Sequence, residues 1–140
     1  MPDNSRSVET SASPEKAWAT WSDTSTWPTW NPDVQDVTLD RGIADGSRGT
    51  MTTKAGGTHN IVISEVQPNR GFTLTSDLPM PAVKAQFRCA IEPTGSGSRI
   101  SQAVTVKGAL APLMGGMITG RIVPTFDALL QGLKSHLESA

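Results

Sequence analysis

Apolar residues recur along this chain with two different periods, and the change of period divides it into elements. Over 82–92, Val83, Ala85, Phe87, Cys89 and Ile91 alternate with Lys84, Gln86, Arg88 and Glu92. That period of two puts one face of a strand on a core and the other in water. Over 99–107, Ile100, Val104 and Val106 share a face opposite Ser101, Thr105 and Lys107, and Gln102 interrupts the apolar row. Shorter strand-like runs lie at 5–10, 34–39, 49–54, 59–66 and 72–76, separated by turns rich in Gly, Pro and Asn at 41–46, 55–57, 67–71, 78–81 and 93–98. Links this short join antiparallel neighbours, because a parallel pair needs a crossover of about a dozen residues or more.

Two stretches follow the helical period. Ser13-Pro14-Glu15 is a helix start: Ser13 can accept from free backbone N–H groups, Pro14 suits the first turn, and Glu15 complements the positive end. It predicts a helix over 14–22 with Ala17, Trp18 and Trp21 as its buried stripe. Asp23-Thr24-Ser25-Thr26 caps a second short turn, which Pro28 and Pro32 keep short. Over 110–137, Ala111, Gly115, Ile118, Ile122, Phe126, Leu129, Leu130, Leu133 and Leu137 trace one helical face, the predicted cover for the apolar side of the sheet. Pro124 predicts a kink or break within 120–124.

Composition narrows the classes of function. The 140 residues suit one domain over 1–140, with 1–4 as a flexible N-terminal tail. Twelve basic against thirteen acidic residues give a net charge of −1, so the chain lacks the basic surplus of a nucleic-acid binder. Hydrophobic residues at 36% with so little net charge describe an ordered globular chain. No apolar run reaches about 18 residues, so no integral membrane insertion is expected. Cys89 is the single cysteine, which excludes an internal disulfide and suits a reducing, cytoplasmic setting. His59 and His136 fall in no metal-ligand spacing, so neither a metal nor another cofactor is expected. Asp33, Asp36, Asp40 and Asp45 read as a solvated surface.

The order strand, helices, strands, long helix resembles the START-like (SRPBCC) superfamily, and within it the polyketide cyclase/dehydrase and lipid-transport group. Four pieces carry the resemblance: Ser13-Pro14-Glu15-Lys16-Ala17-Trp18, Trp27-Pro28-Thr29-Trp30-Asn31-Pro32, Ser98-Arg99-Ile100-Ser101-Gln102 and Gly108-Ala109-Leu110-Ala111-Pro112-Leu113. It extends from Val8 to Leu137 and implies an α+β helix-grip fold of the START/Bet v 1-like kind. There a curved antiparallel sheet wraps around a long C-terminal helix, two short helices follow the first strand, and a cavity lies between the layers.

The expected cavity wall comprises Phe87, Cys89, Val104, Met117, Ile118 and Ile122, with Gln102 as the polar contact and Trp30 at the mouth. Each has a plainer reading. Gln102 can bond nearby backbone instead of a ligand, and an amide on an apolar face is costly unless it is bonded to something. Cys89 reads first as a small buried hydrophobe. The four tryptophans, at 18, 21, 27 and 30, either wall a pocket or staple the short helices to the sheet. The segment 113–120, rich in Met and Gly, either rims the cavity or packs closely on the sheet.

Binding of a small or medium hydrophobic molecule (lipid, isoprenoid, polyketide or aromatic), by a monomer or homodimer, is the function these features favour. One alternative is a cyclase or dehydratase, disfavoured by an inward row without Arg, Tyr or His. No catalytic residue is assigned. The other is a protein-interaction module, which requires a filled interior and an exposed apolar patch.

Overall fold

The computed structural model describes residues 4–54, 57–78 and 82–139. The expected tail at 1–3 and parts of the turns at 55–57 and 78–81 lie outside the described residues. Asn4, assigned to the tail from sequence, is held in place: its Nδ2 donates to the Val104 carbonyl at 3.1 Å, and its own carbonyl accepts from the Val104 N–H at 2.9 Å.

Seven strands form one antiparallel sheet: β1 (Ser5–Thr10), β2 (Val34–Leu39), β3 (Arg48–Thr53), β4 (Thr58–Gln67), β5 (Gly71–Asp77), β6 (Lys84–Thr94) and β7 (Gly97–Lys107). Their spatial order is β1-β7-β6-β5-β4-β3-β2. Successive strands from β2 to β7 are neighbours, as the short turns require, and β1 closes the far edge on β7. The β6–β7 hairpin keeps one register from Lys84↔Lys107 to Thr94↔Gly97, which sets Cys89 opposite Gln102. Ala85, Cys89, Ile91, Ile100 and Val104 are buried, as their alternation predicts. Register shifts at Val34/Asp36 in β2 and Ser64/Gln67 in β4 add local twist, and such irregularities bend a strand.

Helix α1 (Pro14–Trp21) starts as the sequence indicates, with the Ser13 side chain accepting from the Lys16 N–H at 3.1 Å. Asp23 caps a single 3-10 turn, Thr24–Thr26, and α2 (Trp27–Trp30) follows directly. The expected C-terminal helix is divided in two, α3 (Ala111–Ile122) and α4 (Thr125–Glu138), so the break at Val123 and Pro124 falls where Pro124 places it. Helix α4 lays Phe126, Leu129, Leu130, Leu133 and Leu137, all buried, over β1 and β7. It also comes so close to α2 that a Cβ at Gly132 would lie 1.9 Å from the Trp30 carbonyl oxygen. Helix α3 packs on β7 and leaves Leu113 and Met117 exposed. This is the helix-grip α+β architecture, with its core between the sheet and α4.

Candidate functional site

The two layers do not meet everywhere. Where α3 gives way to α4, a cavity of about 310 Å³ remains between the helices and the sheet. Every strand except β1 contributes to its lining. Trp21, Trp27 and Trp30 form one apolar wall, Leu74 and Phe87 the sheet side, and Phe126 and Leu129 the helix side.

The tryptophan wall is held by Phe72 on β5, which is fully buried. Its ring centroid lies 6.2 Å from Trp18, 6.1 Å from Trp21 and 6.2 Å from Trp27, the last of these stacked. Edge-on and offset stacked pairs of this kind suit the aromatic quadrupole. The Trp27 indole N–H donates to the Trp21 carbonyl and that of Trp30 to Thr26 Oγ1, both at 2.9 Å. With these polar atoms engaged, Trp27 and Trp30 offer the cavity hydrocarbon surface. The two readings of the tryptophans are thus not exclusive. Trp21 and Trp27 staple and wall at once, while Trp18 staples without reaching the cavity.

Polar side chains, among them Gln102, Asn31, Ser76 and His59, break the apolar lining from within. Gln102 accepts the Cys89 S–H on Oε1 at 3.5 Å. Burial pushes the Cys89 thiol well above the ordinary thiol range, outweighing the opposing pull of Arg88, so the group stays protonated and serves as a donor. Asn31, the C-cap of α2, accepts the Asp33 N–H on Oδ1 at 3.0 Å. Ser76 Oγ donates to the Asp77 carbonyl at 2.9 Å. His59 is half-buried, with Nδ1 3.6 Å from Asp77 Oδ1. That spacing is an ion pair when the ring is protonated and too long for a hydrogen bond. Asn60 steadies the Asp77 carboxylate through its N–H at 3.1 Å and its Nδ2 at 3.0 Å. Asp33, Arg121 and Thr125 line the cavity and are exposed, so they mark where it reaches solvent.

Of the residues expected at the cavity, Gln102, Phe87, Cys89, Ile122 and Trp30 line it, Trp30 as a buried wall and not at the rim. Val104, Met117 and Ile118 lie elsewhere: Val104 and Ile118 are buried outside the lining, and Met117 is exposed on the outer side of α3. The reason is where α3 ends. Only its last residues, Arg121 and Ile122, reach the cavity, while Gly115 faces Val106. The segment 113–120 therefore packs on β7 and does not rim the cavity.

The inward row of β6 and β7 brings Phe87, Cys89 and Gln102 to the cavity and no Arg, Tyr or His. From other elements, however, His59 reaches the cavity on β4 and Arg121 stands at its rim on α3. His59 shares its face with Ile61 and Ile63, both buried, so the alternation along β4 already carried that signal. Asp33, read as solvated surface, is exposed but stands at the rim. Among the described residues, no group of three or more His, Cys, Asp or Glu is placed to hold a metal ion.

A curved sheet gripping a helix over an open, mainly apolar cavity defines a class of small-molecule-binding folds. The chain belongs to the polyketide cyclase/dehydrase and lipid transport family, whose pattern it matches over residues 1–138. No curated protein matches it in sequence. Solved structures with the same fold include protein MLL2253 from Mesorhizobium loti, at TM-score 0.77 and 16% identity, covering 97% of this chain and 96% of that one. The di-domain ARO/CYC StfQ from the steffimycin biosynthetic pathway aligns at TM-score 0.76 and 15% identity, over 98% of this chain and 52% of its own. Norcoclaurine synthase from Thalictrum flavum, in complex with dopamine and hydroxybenzaldehyde, aligns at TM-score 0.73 and 15% identity, over 96% and 85%. At such identities the likeness is one of fold. Among the described residues, no helix is long and apolar enough to cross a membrane.

Proposed function

We propose that the protein binds a small apolar or aromatic molecule in the cavity between its sheet and the α3–α4 junction. One observation carries this reading: the layers leave about 310 Å³ open, walled by tryptophan, phenylalanine and leucine. Ligand pockets are commonly about 300–1,000 Å³ and largely apolar, with a few polar groups that set orientation. Affinity would come from displacing water along those walls. Phe87, Cys89, Ile122 and Trp30 supply apolar contacts and Gln102 a polar one. The open interior speaks against the interaction-module alternative, which needs a filled one.

The test uses the neutral fluorescent probe N-phenyl-1-naphthylamine. Saturable binding is expected, and Ile122→Trp, which fills the cavity from its half-buried edge, weakens it by about tenfold or more while the melting temperature holds. Absence of saturable binding, or binding indifferent to Ile122→Trp, overturns the reading.

A second reading, turnover of the ligand, is favoured by His59 with Asp77 beside its ring at the cavity. Imidazole is the side chain most used for proton transfer. A dehydratase, or a cyclase whose ring closure expels water, would co-purify with two bound species differing by one water. Native mass spectrometry of the wild type would then show both, and His59→Gln only the heavier.

A further inference from the structure

Two primary amides in the cavity wall have their hydrogen-bonding capacity only half used. Gln102 and Asn31 are each 7% exposed, and both line the cavity. Each spends its oxygen within the protein: Gln102 Oε1 accepts the Cys89 thiol, and Asn31 Oδ1 accepts the Asp33 backbone N–H. Those partners orient the amides, because a protonated thiol and a backbone N–H are donors and take the oxygen end. Gln102 Nε2 and Asn31 Nδ2 are left, and neither has a partner among the described residues. Among these residues the one side-chain polar atom both sealed from solvent and unpartnered is Thr94 Oγ1, so both amide nitrogens keep accessible surface, and both residues line the cavity.

Each NH2 group carries two donors. A hydrocarbon in the cavity would strip water from these donors and return nothing, and buried donors without acceptors are costly. A ligand offering only donors would fare no better. We infer that the ligand presents hydrogen-bond acceptors, carbonyl or ether oxygens, to Gln102 Nε2 and Asn31 Nδ2, and that these two amides decide which apolar molecules the protein accepts. Gln102 projects from β7 and Asn31 stands just before β2, with four strands between these two in the sheet order. The acceptors therefore sit at two separate places on the ligand. This rests on the binding reading above and narrows it to a neutral apolar body with at least two acceptor oxygens.

The test compares two probes of matched shape, 1,4-diacetylbenzene and 1,4-diethylbenzene, titrated into the protein and followed by 1H–15N NMR. Water solvates the carbonyls too, so the comparison is between variants and not between probes. Gln102→Leu is expected to weaken the diacetyl probe about tenfold, by leaving a buried carbonyl unpaired, and to leave the diethyl probe within about twofold. Asn31→Asp keeps the oxygen that holds the Asp33 N–H and removes the donor, and is expected to act in the same direction. In the wild type, the side-chain NH2 signals of Gln102 and Asn31 shift with the diacetyl probe and stay in place with the diethyl one. This reading decides the matter even if a variant does not fold. If both probes bind and each variant changes them equally, or if the amide signals do not respond, the inference is overturned. If neither probe binds, the binding reading itself falls, a different and separately visible result.

Discussion

Cys89 is the residue on which burial acts most strongly. Its side chain lies on the inner face of β6 with Ala85 and Ile91, and the low polarity there raises its pKa above the ordinary thiol range. It therefore works as an S–H donor that turns the Gln102 amide, and not as a nucleophile. In native protein at pH 8, a disulfide reagent such as DTNB is expected to react with Cys89 orders of magnitude more slowly than in the urea-unfolded chain. Fast stoichiometric reaction of the folded protein would show that the thiolate forms readily. Alternation along 82–92 sufficed to place Cys89 on the apolar face. Its pairing with Gln102 needs the register Cys89↔Gln102, which depends on how tightly the hairpin turns, and the turn-rich stretch 93–98 is compatible with neighbouring registers. Sequence thus marked Gln102 as anomalous without supplying its partner. The free amide end, which matters most for the ligand, follows only from that partner. Asn31 was hidden for a related reason: Asn before Pro reads as a turn, and its burial depends on α4 closing over α2.

Between elements, the α4–α2 contact sets the wall of the cavity. Gly132 has no room for a side chain because the backbone of Trp30 lies against it. Gly132→Ala must separate the two helices, at a cost of about 1–3 kcal/mol read from urea unfolding. Because the atom displaced is the Trp30 carbonyl and Trp30 lines the cavity, probe binding should fall as well. Gly116 is the control: it is exposed on α3, and an added Cβ meets nothing within 4 Å. Gly116→Ala should stabilise by up to about 1 kcal/mol through helix propensity and leave binding unchanged. The reverse ranking of the two variants would contradict this packing. Strand limits and the Pro124 break were legible because period and proline act locally. The apolar face drawn through 111–137 persists across the break at Val123 and Pro124: Ile118, Phe126, Leu129, Leu130, Leu133 and Leu137 are buried, and Ala111, Gly115 and Ile122 are half-buried. Met117 lies one position off that face and is exposed, while Arg121 reaches the cavity because α3 ends beside it.

Over the whole molecule, the helical layer is pinned at its C-terminal end and stands off the sheet where it breaks. Leu130, Leu133 and Leu137 seal the pinned half, and the cavity lies under the break. The pin is polar as well as apolar. Glu138 Oε2, at the last turn of α4, accepts from Lys134 Nζ and from Thr10 Oγ1 on β1, both at 2.8 Å, and from the Ser11 N–H at 3.3 Å. The Lys134 hydrogen bond first and the Thr10 bond next hold this carboxyl below its ordinary value of 4.5. A folded pKa below the unfolded one means that folding favours the ionised form, so the contribution is complete above the unfolded value and is lost as pH falls through the folded one. Glu138→Gln removes that dependence and retains an oxygen for Thr10. At neutral pH the variant should melt below the wild type, and the two melting curves should converge as pH falls below 4.5. Asp40, lowered mainly by the Arg48 N–H and then by the Ser47 hydroxyl, titrates in both proteins, so its effect cancels in the difference. A gap between wild type and variant that stays constant across the whole acid range would mean that the Glu138 charge does not help to hold α4 against β1, and that the leucines alone keep the layers together at that end.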